Sequence, residues 1–461
     1  MKQLTIKQII KATGGKLVRG ELQGKVANIC LDSRQAKPGD LFIPLIGEVH
    51  DAHKFINEVL ENGCRDFIIS TEVAKTQLEN IEGVHIVMVE DTTLALQNLA
   101  AYYLKELNIK KIGVTGSTGK TSTRDMIYYV CSQKYKCGRN VGNLNNHIGV
   151  PMTIFSFDET TQVGVIEMGM DHFGEISRLA EIAPSDIGVI TNIGMSHMEN
   201  LGSQEGIFKA KMEITDLFTK DNTLIVSQDN KFLNRGRIKG DYKLISTGIG
   251  RENDYIISHI DDFGADGIEF TLEHDGNFQR IKLPVPGRHN AFNGTLAVAV
   301  GAQLGITMKE AAVGLSQMEL TQKRLTVHDV NGIKVIDDTY NASPDSMKGA
   351  IDVLENTKGS RKIAILGDMF ELGETSLALH KEVGLYAGEK AIDVVIAIGK
   401  NAKFIAEGGK EHFNHNQVHY FPKKEDFIDK LNDFIRTGDV ILVKGSRGMA
   451  MEEIVKQMIN K

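Results

Sequence analysis

Short runs of Val and Ile alternate along the chain with longer stretches of helical period, the pattern of parallel strands covered by helices. In the first hundred residues, 65–70 and 84–89 read as strands. Residues 93–107, apolar at helical spacing, read as a helix that runs into a polar stretch at 108–111, a natural boundary. A second unit opens with a strand at 111–115 and carries further strands at 164–168 and 187–193. Residues 255–286 alternate apolar and polar positions as a β-rich part, and 290–304 close the unit as a helix. Beyond about residue 320, strands at 333–337, 362–366, 393–398 and 439–444 are separated by helical segments, which predicts a Rossmann-like open sheet. The pattern predicts an α/β protein of three domains, 1–108, 109–319 and 320–461, with no internal repeat.

Length supports that division, because 461 residues exceed what one hydrophobic core holds. Forty-six glycines against eight prolines favour tight strand-to-helix turns over disordered linkers. A formal charge of -7 gives no reason to expect nucleic acid or an anionic membrane as partner. An anionic substrate would need a locally basic pocket. The first fifteen residues lack the apolar core and cleavage site of a signal peptide, and no apolar run reaches the roughly 18 residues of a membrane helix. Cytoplasm is therefore the expected compartment. Cys30, Cys64, Cys131 and Cys137 show no paired metal-ligand spacing and read as free thiols.

The sharpest local signal is Gly113-Val-Thr-Gly-Ser-Thr-Gly-Lys-Thr121, between an apolar strand and a helical segment. Thr115, Gly116, Ser117, Thr118 and Gly119 would wrap backbone N–H groups around a phosphate, with the helix N-terminus adding its dipole. Lys120 would bridge the β and γ phosphates, and Thr121, followed by Ser122, would place a hydroxyl on Mg²⁺. The strict eight-residue form would put its first glycine at position 114, which is Val114. The middle domain is accordingly a P-loop-type mononucleotide-binding α/β domain, and ATP or GTP is its expected ligand.

A magnesium ion held by phosphates and one threonine needs further hard oxygen ligands. Glu167 ends a strand at the carboxyl edge where α/β sheets place their ligands, and is read as one of them. His197 follows another strand of the same sheet and is read as a second. Lys211 is unusual. With Ile207, Ile214 and Phe218 it falls on one apolar face of the helical segment 206–218, whereas Lys209 and Lys220 point nearly opposite. An isolated buried ammonium is expensive, so two readings stand. The stem packs while the head escapes to water, or burial neutralises the amine and it takes up carbon dioxide as a carbamate. Arg124 and Asp125, in the helix after the loop, read as surface or packing charges. His412, His415 and His419 sit in a polar stretch without carboxylates or thiols at ligand spacing and read as solvated. The methionines read as core filler.

Taken together these motifs resemble the Mur ligase family across all three expected domains. Thr115–Ser122 matches its shortened ATP loop. Glu167, His197 and Lys211 fall on its metal-binding glutamate, histidine and carbamylated lysine. Gly287-Arg-His-Asn-Ala-Phe-Asn293 is similar to a segment whose asparagines, here Asn290 and Asn293, lie near the adenine. Arg324 resembles its phosphate-contacting arginine, and Asp338 and Asn341 in Asp338-Thr-Tyr-Asn-Ala-Ser-Pro344 lie near the nucleotide in that family. Leu366–Gly373, Val443–Met449, Asp32–Phe42 and Asn143–Pro151 are similar to the member that adds D-alanyl-D-alanine, and no Asp-x-Pro-Arg motif marks the lysine- or diaminopimelate-adding member. Ala52 stands where the family usually shows glycine.

The resemblance implies an ATP-dependent ligase whose partners are small molecules, UDP-MurNAc-tripeptide and D-alanyl-D-alanine. It implies ATP, two Mg²⁺ ions and a carbamate on Lys211, with Lys120, His197, Lys211 and Arg324 as catalytic residues. Ser33, Arg34, Asn145 and Asn146 are the substrate-binding expectations, and a monomer is expected. A ligase of the same architecture with a different acceptor is the nearest rival, and the segment at 366–373 argues against it. A P-loop switch or motor leaves Lys211 and the segment at 338–344 without a role. A regulator without catalysis does not need Lys120, Glu167, His197 and Lys211 together.

Overall fold

The computed structural model describes residues 1–319, 323–412 and 417–460. It contains three sheets of α/β type. The first has five strands in the order Lys16–Arg19, His85–Met88, Asp66–Ile69, Asp40–Phe42, Asn28–Cys30, all parallel neighbours except the antiparallel edge strand Lys16–Arg19. A short antiparallel pair, Leu4–Thr5 with Lys25–Val26, stands beside it.

The central sheet has nine strands. Seven run parallel, from Cys137–Arg139 at one side through Val163–Glu167, Lys110–Thr115, Ile187–Ile190, Thr223–Ser227 and Lys243–Gly248 to Tyr255–Asp262. Ile268–His274 and Asn277–Leu283 then add two antiparallel strands. The stretch expected as the unit's β-rich part thus extends the central sheet itself, because Thr247 and Gly248 pair in register with Tyr255 and Ile256. The third sheet has six strands. Thr326–Val330 and Ile333–Asp338 form an antiparallel hairpin, and Asp439–Lys444, Arg361–Gly367, Val394–Ile398 and Val418–Phe421 follow in parallel.

Local chemistry explains the element ends. Helix Thr92–Leu107 begins where the Asp91 carboxylate accepts the Leu94 N–H and stops at Asn108 in the left-handed region. The strand expected over 187–193 ends at Ile190, because Thr191 and Asn192 turn to meet the loop of the neighbouring strand. The segment expected as one helix over 206–218 divides into Gln204–Met212 and a single tight turn at Glu213–Thr215. Ser203 caps it by accepting the Gly206 N–H at 3.1 Å.

The cores show how the units join. One apolar cluster runs without a break from Leu4, Ile6 and Ile9 through Leu96, Leu99 and Tyr103 of helix Thr92–Leu107 to Ile154, Phe157 and Ile176 of the central unit. The Tyr103 hydroxyl accepts the Lys2 N–H at 2.7 Å and donates to the Phe157 carbonyl at 2.7 Å. The C-terminal sheet instead carries its own core on each face. It meets the central unit at two places. One is polar, around Ala265–Thr357 and Asp262–Asn356, and the other lies at the cleft described below. No described helix is long and apolar enough to cross a membrane.

Tyr103→Phe keeps the ring packing and leaves the Phe157 carbonyl without its donor. We expect it to lower unfolding free energy by about 1–3 kcal/mol, read as an earlier urea transition. An unchanged transition contradicts the role given to this hydroxyl.

Candidate active site

Register places the site. Val163–Glu167, Lys110–Thr115 and Ile187–Ile190 lie side by side, with Glu167 opposite Val114 and Ile190 opposite Thr115. Their carboxyl ends thus bring loop 116–119, Glu167 and the segment 191–197 to one edge, where an open α/β sheet forms its crevice. Gly116 directly follows strand Lys110–Thr115, and Glu167 ends its neighbour.

The loop requires its glycines for two different reasons. A Cβ on Gly116 would lie 1.8 Å from Thr191 Oγ1, so close approach of the next strand excludes any side chain. Gly119 sits at φ +78, and its Cβ would meet Asn293 Oδ1 at 2.9 Å. The loop is tied to its neighbour at Thr118, whose N–H donates to Asn192 Oδ1 at 2.9 Å. Thr118 also accepts from Asn192 Nδ2 on its hydroxyl and from the Thr191 hydroxyl on its carbonyl, at 2.7 and 2.6 Å. The Lys120 ammonium folds back onto the Gly116 carbonyl at 2.7 Å. Burial pushes its pKa down and Arg324 adds to that, while Glu167 opposes.

Glu167 is 2% exposed. Its Oε1 accepts from Asn145 Nδ2 at 2.8 Å and its Oε2 from Arg124 Nη1 at 3.1 Å. His197 is held at φ 61, left-handed for a non-glycine residue. Its Nδ1 lies 3.1 Å from Asp171 Oδ1 and 2.9 Å from Glu371 Oε2, yet neither contact is aligned as a hydrogen bond. Burial lowers the imidazole pKa, the two carboxylates raise it, and the net shift is upward. Glu371 belongs to the C-terminal unit and is itself left-handed at φ 64, so two strained residues face each other across the junction. Asp171, His197 and Glu371 offer ligand atoms that all lie within 4.8 Å of one another.

Lys211 is 1% exposed, whereas Lys209 and Lys220 lie in solvent as their spacing predicts. Its head does not escape to water. Burial drives its pKa well below that of an ordinary lysine, Lys120 pushes the same way, and Asp171 opposes. Lys211 is not part of the cleft wall.

The C-terminal unit supplies the opposite wall. The Arg324 guanidinium lies 4.0 Å over the Tyr340 ring, and its Nε is buried without a hydrogen-bond partner among the described residues. Asp338 pairs in register with Lys444 on the neighbouring strand. Its Oδ2 accepts from Lys444 Nζ at 2.6 Å, and the same ammonium donates to the Asn341 carbonyl at 2.8 Å. Between the walls lies a cleft of about 670 Å³, the size of a nucleotide site. A side chamber of about 180 Å³ shares Ser117, Lys120 and His197 with it and extends to Phe370, Glu371 and Arg447.

Most residues singled out in the sequence meet here. Residues 117–122, Asn145, Asn146, Glu167 and His197 line the cleft from the central unit, as do Asn290 and Asn293. Arg324, Asp338 and Asn341 line it from the C-terminal one. Asn290 and Asn293 brace each other through a 2.9 Å hydrogen bond, and Asn146 Oδ1 accepts the Gly149 N–H at 2.8 Å at the start of helix Gly149–Phe155. Thr115 and Gly116 are buried at the base of the loop. Ser33 and Arg34 do not line the cleft. Ser33 is buried in a tight turn, and the exposed Arg34 side chain binds Asp32, holding that carboxyl down at about 2. His412 is exposed, His419 packs on the Phe434 ring at 4.7 Å, and His415 lies outside the described residues.

Of the two readings of Arg124 and Asp125, surface or packing, burial leaves the second: they are 2% and 1% exposed, and Arg124 binds both Asp125 and Glu167. Asp171, Glu371, Asn192 and Lys444 were also missed. The signal for Asp171 was its place four residues past Glu167. Glu371 and Lys444 stand inside segments noted only for their resemblance.

Comparison with known proteins agrees with this geometry. Residues 114–301 match the Mur ligase middle domain, and 323–447 match the Mur ligase, glutamate ligase domain. The UDP-N-acetylmuramoyl-tripeptide–D-alanyl-D-alanine ligase of Bacillus subtilis (strain 168) is 39% identical over 462 residues, covering 100% of this chain and 99% of its own. A crystal structure of MurF from Acinetobacter baumannii superposes with a TM-score of 0.91 at 31% identity, covering both chains completely (100% each). MurF from Thermotoga maritima in complex with ADP gives 0.82 at 26% identity over 94% of this chain and 97% of that one. With its phosphate loop, its cleft between two units and full-length similarity to these proteins, the chain belongs to the Mur ligase family.

Proposed function

We propose that the chain joins D-alanyl-D-alanine to UDP-N-acetylmuramoyl-tripeptide with cleavage of ATP to ADP and phosphate, a step of peptidoglycan precursor synthesis. One observation carries the reading. The phosphate loop of one unit faces Arg324, Asp338 and Lys444 of another across a single cleft, and a smaller chamber opens at Lys120 and His197. The full-length Bacillus subtilis relative carries this activity in its name, and the Thermotoga relative is in complex with ADP.

The loop amides and the N-terminus of helix Lys120–Cys131 receive the phosphates. Asn290 and Asn293 border the nucleotide beside Gly119. A carboxylate oxygen of the tripeptide attacks the γ-phosphorus, and ADP leaves, giving an acyl phosphate. The dipeptide amine then attacks the acyl carbon, the C–N bond forms, phosphate departs and the amine releases a proton. Lys120 and Arg324 offset the repulsion between carboxylate and phosphate. The Asp338–Lys444 pair holds the C-terminal wall in register, and closure of the two walls excludes water that would hydrolyse the acyl phosphate.

The donor set suits a hard divalent cation. Thr121 and Glu167 line the cleft, and His197 carries a buried Nδ1 without an aligned partner beside two carboxylates. Bound there, Mg²⁺ supplies positive charge to the phosphate oxygens, and we propose two such ions. Burial pushes Lys211 toward the neutral amine, the form that adds carbon dioxide, and the carbamate would contribute two further oxygens. The side chamber suits the dipeptide. Glu371 meets its ammonium, Arg447 its carboxylate, and Phe370, Leu372 and Ala342 its methyl groups. Ser33 and Arg34 hold the UDP-sugar end. The three domains are 1–108, 109–319 and 320–461, and the protein acts as a cytoplasmic monomer on small molecules, without nucleic acid or membrane.

Phosphate release from ATP should require UDP-MurNAc-tripeptide and D-alanyl-D-alanine together, with a pentapeptide product by mass. Release with neither present indicates a simple nucleotide hydrolase, and activity with UDP-dipeptide and a free amino acid indicates another member of the family. Lys211→Ala should lower turnover on the order of 10²–10³-fold, with partial recovery in short-chain carboxylic acids. Full activity in that variant removes the carbamate.

A further inference from the structure

The helix that follows the phosphate loop, Lys120–Cys131, carries a buried guanidinium. Arg124 stands one turn after Lys120, and its side chain is 3% exposed. Nε and Nη2 contact Asp125 Oδ1 at 2.8 and 2.7 Å. Nη1 donates to Glu167 Oε2 at 3.1 Å and to the Gly142 carbonyl at 3.2 Å. The arginine is therefore anchored at one edge and presents its other edge to a single carboxylate oxygen.

The chain of charges continues outward. Asp125 Oδ1 also lies 3.0 Å from Arg139 Nη1, and the Arg139 guanidinium stacks 4.2 Å over the Tyr128 ring. Glu167 is gripped from other sides as well. Asn145 Nδ2 donates to its second oxygen at 2.8 Å, and its backbone N–H donates to Asn140 Oδ1 at 2.6 Å. A glutamate that only filled space at a strand end needs none of this. Three partners, Arg124, Asn145 and Asn140, fix both the backbone and the carboxylate of one residue that faces the cleft.

We propose that Arg124 is a positioning residue for Glu167, holding its carboxylate in the orientation that receives a divalent cation beside the nucleotide phosphates. The inference rests on the metal role proposed above for Glu167. A carboxylate left to rotate would lose orientational freedom on each binding event, whereas one held by a rigid fork has lost it on folding. The planar guanidinium reaches Asp125, the Gly142 carbonyl and Glu167 at once. Because Arg124 and Lys120 share one helix, the loop that takes the phosphates and the carboxylate that takes the metal keep a fixed spacing.

The test is calorimetric titration of the full chain with ADP, once in EDTA and once in excess Mg²⁺. Arg124→Gln should leave metal-free ADP affinity within about twofold of the parent. It should reduce the gain conferred by Mg²⁺ by about 10- to 100-fold, as Glu167→Gln does. Arg124→Lys, which keeps the charge without the fork, should recover only part of that gain. If Arg124→Gln does not fold, Arg124→Gln with Asp125→Asn removes both buried charges and takes its place with the same expectation. An unchanged Mg²⁺ gain overturns the proposal. So does a parallel fall in metal-free and Mg²⁺-supported affinity, which would mark a purely structural arginine. A parent chain that binds ADP in neither condition overturns the nucleotide reading itself, a distinct outcome.

Discussion

Two anions repel, and the proposed reaction begins by pressing one against another. Like unit charges about 4 Å apart cost about 4 kcal/mol at an effective dielectric of about 20, and a γ-phosphate carries more than one. A chain with a net charge of -7 cannot relieve that repulsion with a generally basic surface. It concentrates cations at one edge instead. Lys120 comes from the loop, Arg324 and Lys444 from the facing unit, and the metal-suited donors lie at the ends of the same strands. Both walls are needed, which accounts for a site built across two units rather than inside one.

That concentration has its own cost, because each cation must stay charged or be deliberately discharged. Lys444 is paired with Asp338, and Arg124 with Asp125 and Glu167. Breaking such a buried pair by removing one partner costs on the order of 3–5 kcal/mol, so these pairs are rigid fixtures. Lys211 takes the other course: buried, and close enough to Lys120 to feel its charge, it is driven toward the neutral amine. The two left-handed residues, His197 and Glu371, meet where the units touch. Strain there is sustained by the packing on each side and places a histidine between two carboxylates.

Much of this was legible before any coordinates. The loop was visible because glycines, lysine, strand and helix occur within nine residues, so local chemistry alone defines it. Lys211 was visible because helical period puts it on an apolar face. The parallel strands were visible as Val- and Ile-rich runs, with errors of a few residues at their ends. Pairing was not. That 255–283 extends the nucleotide sheet depends on the register of Thr247 with Tyr255. That Arg124 is buried depends on Glu167, 43 residues away, reaching the same edge. Glu371 and Asp171 look like ordinary surface acids until two units meet. Local signals find groups that work within one element, and they miss groups whose partner lies on another.

The most direct test of the central claim follows the oxygen. UDP-MurNAc-tripeptide labelled with ¹⁸O in its terminal carboxylate is incubated with ATP, D-alanyl-D-alanine and the protein, and the released phosphate is analysed by mass. If the cleft brings the carboxylate onto the γ-phosphorus, one labelled oxygen appears in phosphate and the nucleotide product is ADP. Label appearing in AMP, or unlabelled phosphate accompanying product, contradicts the account.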